Sequence, residues 1–281
     1  MLKQRILTAL ALLLVLLPAL FHPDIRYLAL IGLILIAVAV WEWSRLNHFN
    51  QTHSVLWGIA SAGLCALIYW TDAFDYFAAP FWLFISATWV LLGSYILQGG
   101  QVRWQSIHRW IRLLIGLGIL ISSWLALYQS KNLGTGYLLS ILLLVWVADI
   151  AAYFAGRRWG QHKLAPQISP GKSWEGLIGG VVGVFVLSIA WLNLDEVFPI
   201  LQAGLFQKLF AHGWLVFVAS VLFLSLMSVV GDLIESLIKR SVGAKDSSRL
   251  LPGHGGVLDR LDALLPVLPI AMMLMLFGAP T

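Results

Sequence analysis

The sequence predicts an all-α fold: a polytopic membrane helical bundle of about nine transmembrane helices, with the N-terminus cytoplasmic and the C-terminus periplasmic. Three observations carry that prediction. Of 281 residues, 60% are hydrophobic and 11% charged, with a mean hydropathy of +0.86, against about 45–50% apolar and 25% charged in soluble domains. A series of apolar segments approaches the roughly 20 residues that cross a hydrocarbon core. Lys and Arg fall overwhelmingly in alternate connections, as cytoplasmic loops require. Nothing alternates with a period of two, which argues against a barrel.

In order, the segments are Ile6–Leu20, Tyr27–Trp43, Ser54–Trp70, Ala79–Leu97, Trp110–Tyr128, Gly134–Phe154, Trp174–Leu194, Trp214–Ile234 and Ala263–Phe277. The first and last are short. Lys3 and Arg5 before an apolar run could suggest a cleavable secretion signal, but the run ends in Pro18-Ala19-Leu20-Phe21-His22, without a small-residue cleavage site, so it reads as a retained span. With the N-terminus inside, only Arg26, Lys131 and Lys208 of the 18 basic residues lie outside. An outer loop such as Thr71-Asp72-Ala73-Phe74-Asp75 is acidic. The net charge of +5 is therefore mainly a topology signal and gives no reason to expect nucleic acid as a partner. Cys65 is alone in a span, so no disulfide framework exists. Many of the 14 Trp residues, including Trp41, Trp43, Trp70, Trp110, Trp174 and Trp214, fall at span ends, as in an interfacial aromatic belt.

Residues 1–130 contain spans and short loops, and read as a scaffold with potential dimer contacts. Glu42 is the acid inside those spans; it lies near a span end, where snorkelling suffices. The stretch Gln98–Arg112 reads as a basic, aromatic loop among anionic headgroups. Gly179, Gly180 and Gly183 would let a neighbouring helix approach closely.

Residues 131–281 read as the catalytic part, because from Asp149 onward polar groups collect at one membrane face. Asp149, Tyr153 and Gly156 are spaced i, i+4, i+7, on one helical face. Pro170-Gly171-Lys172-Ser173 resembles the end of a P-loop, but Pro166 stands where that motif needs glycine, and no strand is expected before it. It reads instead as a turn opening a helix at Ser173, with Lys172 beside the first-turn N–H groups as an anion site; a basic cytoplasmic loop with a capping serine is the alternative. Asp232, Glu235, Ser236 and Lys239 share a helical stripe, and acids at membrane depth need a partner or a wet cavity. A structural pair of Lys239 with Asp232 or Glu235 would also satisfy them.

The densest stretch is Ser236 to Asp262, SLIKRSVGAKDSSRLLPGHGGVLDRLD. So much charge between two apolar segments is costly unless it binds something charged. Its mixture of cations and carboxylates suggests phosphates plus a metal ion. Glycines around His254 allow close backbone approach to a ligand, although a histidine there could equally be a turn residue. Asp259 and Asp262 are i, i+3 at the start of the last helix. Arg260 and Lys239 suit phosphate as a bidentate fork and a point charge respectively.

That stretch resembles the pattern of the phosphatidate cytidylyltransferases, the CDP-diacylglycerol synthases, at every fixed position: Ser236, Lys239, Arg240, Lys245, Asp246, Ser248, Leu251, Pro252, His254, Gly255, Gly256, Asp259, Arg260 and Asp262. Ser169 to Gly176 is similar to the family's second cytoplasmic segment. The resemblance implies a nucleotidyltransferase of phospholipid biosynthesis, in which CTP and phosphatidic acid give CDP-diacylglycerol and pyrophosphate. It implies Mg²⁺, with a second, monovalent cation left open, a homodimer, and an inner-membrane location among membrane lipids. Asp232 and Asp259 are the expected metal ligands, with Asp246 and Asp262 as second choices. Lys239, Arg240, Lys245 and Arg260 would neutralise the triphosphate and the pyrophosphate. His254 joins this catalytic group, and Lys172, Ser173, Ser236, Gly255 and Gly256 are expected to contact substrate.

A transporter would carry its polar residues near mid-membrane on several spans, whereas here they cluster at one face. The Asp-Gly, two residues, Ala-Arg motif of CDP-alcohol phosphotransferases and the Pro-Ser-Gly-His of lipid phosphatases are absent. A purely structural subunit would not need the acids and cations of the last loop.

Overall fold

The computed structural model describes residues 2–73, 77–194, 197–202 and 204–277, with the side chains of 2–6, 9, 276 and 277 outside the description. The basic side chains of Lys3 and Arg5, and Asp75 of the outer loop, lie outside the described residues.

Apolar runs of this length satisfy their backbone polar groups only as helices when they lie in hydrocarbon, and helices result: α1 (Leu2–Phe21), α2 (Arg26–Leu46), α3 (Gln51–Trp70), α4 (Ala79–Ser106), α5 (Arg109–Asn132), α6 (Thr135–Trp159), α7 (Trp174–Leu194), α8 (Leu205–Ala211), α9 (Trp214–Ser241), α10 (Leu258–Leu261) and α11 (Leu264–Phe277). Seven of them, α2 to α7 and α9, are long and apolar enough to cross a membrane; the apolar stretches of α1 and α11, Leu10–Phe21 and Leu264–Met275, are shorter. The expected bundle is therefore met as a multi-pass helical protein.

Three local expectations change. The stretch 98–112 is mostly helix: α4 continues to Ser106, broken at Gly100, whose φ of 64° lies in the left-handed region that glycine adopts without a Cβ clash. Lys163–Ala165 and Ser169–Ser173 form an antiparallel hairpin, β1 and β2, with Lys163 opposite Ser173. Pro170-Gly171 thus lies in a strand, and the helix opens one residue later at Trp174. A two-stranded ribbon is all edge, so a proline missing its N–H is tolerated there. Finally, Trp43 is no belt residue: it is buried and donates Nε1–H to the Arg112 carbonyl at 2.9 Å. Trp70, Trp110, Trp174 and Trp214 are exposed, as a belt requires.

The core is continuous, and α11 packs against α4, α5 and α9. The α6–α7 pair is the tightest, for the reason its glycines suggest. A methyl built on Gly180 would stand 2.9 Å from the Ala148 carbonyl oxygen, and one on Gly183 would stand 2.6 Å from the Ala151 methyl. Gly180→Leu is expected to force the helices apart and lower stability by about 1–3 kcal/mol, read as a lower unfolding temperature in detergent. An unchanged transition would remove the close-approach argument.

The alternation of helix directions brings the C-terminal ends of α2, α4, α6 and α9 and the starts of α7 and α11 to one end of the bundle. At about 1.5 Å per residue, the 28 residues of α9 extend about 42 Å, beyond a hydrocarbon core of about 30 Å. Its last turns can therefore reach the interface, and they carry the polar residues.

Candidate active site

Two joined groups of charge occupy this end. The inner one centres on Lys239, which is 8% exposed. Its ammonium pairs with Glu235 one turn back on α9 and with Asp259 Oδ1 on α10. The structural pair that sequence left open is thus made with Glu235, and Asp259 completes it. Asp259 Oδ2 accepts from the Ser247 amide at 2.9 Å, the Ser247 hydroxyl at 2.9 Å and the Gly256 amide at 2.7 Å. Burial acts to raise the Asp259 pKa, but Lys239 and these amides outweigh it and hold the carboxyl below its ordinary value.

The outer group faces an open cavity of about 460 Å³ between α6, α7, β2 and α9, lined in part by Asp149, Tyr153, Arg157, Lys172, Ser173 and Asp232. Lys172 Nζ pairs with Asp232 Oδ2 at 2.6 Å, and the Ser236 hydroxyl donates to Asp232 Oδ1 at 3.2 Å. Asp149, Asp232 and Asp262 lie within electrostatic reach of one another. Burial first, then the neighbouring Asp232 charge, pushes the Asp262 carboxyl up to about 8. The cluster therefore gains by drawing in positive charge.

The other expected site residues are placed less tightly. Arg240 is half-buried and donates Nη1–H to the Ala244 carbonyl at 2.8 Å, tying down its own loop. Lys245, Asp246 and Arg260 are exposed. His254 closes a turn through its amide to the Leu251 carbonyl at 2.9 Å, while its buried Nδ1 meets no hydrogen-bond partner among the described residues. Gly255 has φ +80° and accepts from the Leu251 amide at 2.8 Å; Gly256 gives its N–H to Asp259. Ser173 accepts from the Gly176 amide at 3.1 Å, capping α7.

The sequence reading missed Ser247, and it misjudged Glu42. Far from snorkelling, Glu42 is wholly buried and accepts from Ser247, Ser248, Val257 and Leu258. The available signal was the general one, that an ionisable residue within a span requires a partner.

The described arrangement is one of carboxylates and cations, set around a cavity at one end of an apolar bundle. The model of the cytidylyltransferase family matches residues 3–277. The chain belongs to that family. For a cytidylyltransferase the cavity is thus flanked by the charged segments that most distinguish the sequence. The chain is 37% identical to a phosphatidate cytidylyltransferase of Pseudomonas aeruginosa, covering 100% of each. It is 33% identical to one of Haemophilus influenzae over 96% of each. It is 31% identical to one of Staphylococcus saprophyticus, over 98% of this chain and 99% of that relative.

Proposed function

We propose that this cytidylyltransferase joins CTP to phosphatidic acid, giving CDP-diacylglycerol and pyrophosphate. The observation that carries the reading is similarity to phosphatidate cytidylyltransferases over the full length of both chains. A phosphate oxygen of the lipid attacks the α-phosphorus of CTP, the bond to the bridging oxygen of the β-phosphate breaks, and pyrophosphate leaves. Both reactants are anions at neutral pH, so no general base is needed, and catalysis is mainly positioning and charge neutralisation. Lys172 and Arg157 at the cavity, with the exposed Lys245 and Arg260, receive phosphate oxygens. Lys239 is engaged by Glu235 and Asp259, so its contribution is to hold Asp259 ionised and in place.

Carboxylates are the donors that Mg²⁺ takes, one or two beside substrate phosphates and water, although among the described residues no group of three or more His, Cys, Asp or Glu is placed to hold a metal ion. A carboxylate offers about four lone-pair sites; Asp232 has taken one donor on each oxygen, and Asp259 Oδ1 takes only Lys239. Asp232 and Asp259 would hold the ion, with the Asp262 and Asp149 carboxyl groups near Asp232. When bound, the metal neutralises phosphate charge. We place the site on the cytoplasmic side of the inner membrane, where CTP is available, on the strength of the Lys and Arg distribution. A homodimer rests on the family resemblance.

The test is pyrophosphate release by the full-length protein in detergent with CTP, phosphatidate and Mg²⁺. Release is expected, and its loss by a factor on the order of 100 or more in Asp232→Ala. No release, or release undiminished in that variant, would overturn the assignment.

A further inference from the structure

Glu42 belongs to α2, in the part of the chain that the sequence marks as scaffold, yet among the described residues every donor that reaches its carboxylate comes from residues 247–258. Ser248 Oγ at 2.6 Å and the Val257 amide at 3.0 Å donate to Oε1. Ser247 Oγ at 3.1 Å and the Leu258 amide at 2.8 Å donate to Oε2. Among the described residues no Lys, Arg or His forms an ion pair with it. A carboxylate 0% exposed without a cation is tolerable only if hydrogen bonds replace its lost hydration. Here those bonds come from one loop. The dependence is therefore mutual: the carboxylate can be buried only under the closed loop, and the loop leaves buried donors unpaired if the carboxylate goes.

The same loop aims Asp259. The Ser247 hydroxyl stands between the two carboxylates, 3.1 Å from Glu42 and 2.9 Å from Asp259, and its one proton serves one of them at a time. Gly256 donates its N–H to Asp259, and a methyl on it would collide with Ser247 and Glu42. We infer that Glu42 is a positioning residue for cytidylyl transfer, clamping residues 247–258 from α2 so that Ser247 and Gly256 fix Asp259 against Lys239. The inference rests on the reaction proposed above, but its clamp can be tested without turnover.

The experiment is Glu42→Gln in the full-length protein in detergent, read by amide hydrogen exchange and by steady-state kinetics. Glutamine keeps the shape but turns an –NH₂ toward the amide of Val257 or Leu258, donor against donor. Exchange in 247–258 is expected to rise about tenfold or more, the worth of one or two hydrogen bonds, with the middle of α2 and of α9 unchanged. Per folded molecule, kcat is expected to fall on the order of 100-fold, as misplacing a reacting group does, with KM for CTP altered less than about threefold. A residue that only stabilised the fold would lower the folded fraction and leave kcat per folded molecule alone. Should Glu42→Gln fail to fold, Ser248→Ala, whose hydroxyl among the described residues meets Glu42 and the exposed Leu250 amide, is expected to show the same changes at about three- to tenfold. Exchange and kcat like those of the unaltered protein, in whichever variant folds, overturn the inference. An unaltered protein that does not turn over CTP sinks the reaction assignment instead, while the exchange measurement still decides the clamp.

Discussion

Lys239→Met is expected to destabilise the fold by about 3–5 kcal/mol, the effect of removing one partner from a buried ion pair. Methionine matches the lysine stem in length and packs well, so lost volume is not the cause. What is lost is the charge that Glu235 and Asp259 share. Glu235 is 4% exposed, and among the described residues no donor other than Lys239 reaches its oxygens. Asp259 keeps the Ser247 and Gly256 amides as donors on Oδ2, so most of the penalty falls on Glu235. The double variant Glu235→Gln/Lys239→Met is therefore expected to regain much of the lost stability while remaining inactive, because Asp259 still lacks its cation. Tryptophan fluorescence during thermal unfolding in detergent gives the measurement. A single variant that melts with the unaltered protein would mean that the triad is not a buried charge site.

This triad also shows how far the sequence could be read. Charge is rare in an apolar chain, so a segment dense in it identifies itself, and Ser236 to Asp262 was legible for that reason. The shared helical stripe offered Lys239 a pair with Asp232 or with Glu235 without choosing between them; that Glu235 is the partner and that Asp259 joins depends on the loop between, which periodicity cannot fold. Glu42 was legible as an acid within a span, but its neighbours Trp41 and Trp43 suggested an interface. Its partners lie about 205 residues away in sequence, a distance no local pattern bridges. The hairpin at 163–173 escaped because three- and five-residue strands are too short for a period of two to register, and Pro-Gly ordinarily marks a turn. The α6–α7 contact needed only Gly179, Gly180 and Gly183, because small residues in apolar helices have few other uses.

Asp232→Asn and Asp259→Asn are expected to abolish activity alike and to part company in stability. In both, a charge that would serve the transferring phosphates disappears, and pyrophosphate release falls on the order of 100-fold or more. Asp232 lies at the open cavity, 2.6 Å from a half-buried Lys172 that water can solvate once released. Its loss is expected to move the unfolding transition little, by less than about 1 kcal/mol. Asp259 holds Lys239, Ser247 and Gly256 together. An asparagine there can keep the amide contacts through its carbonyl, but it leaves Lys239 with Glu235 alone and turns an –NH₂ toward an ammonium. A loss of about 2–4 kcal/mol is expected, between that of a broken charged hydrogen bond and that of a broken buried pair. Equal thermal shifts for the two variants would contradict the contrast between a carboxylate open to water at the cavity and one tied into the buried loop. Full activity in Asp259→Asn would be more damaging, since Glu42, Ser247, Gly256 and Lys239 all act on the reaction through that one carboxylate.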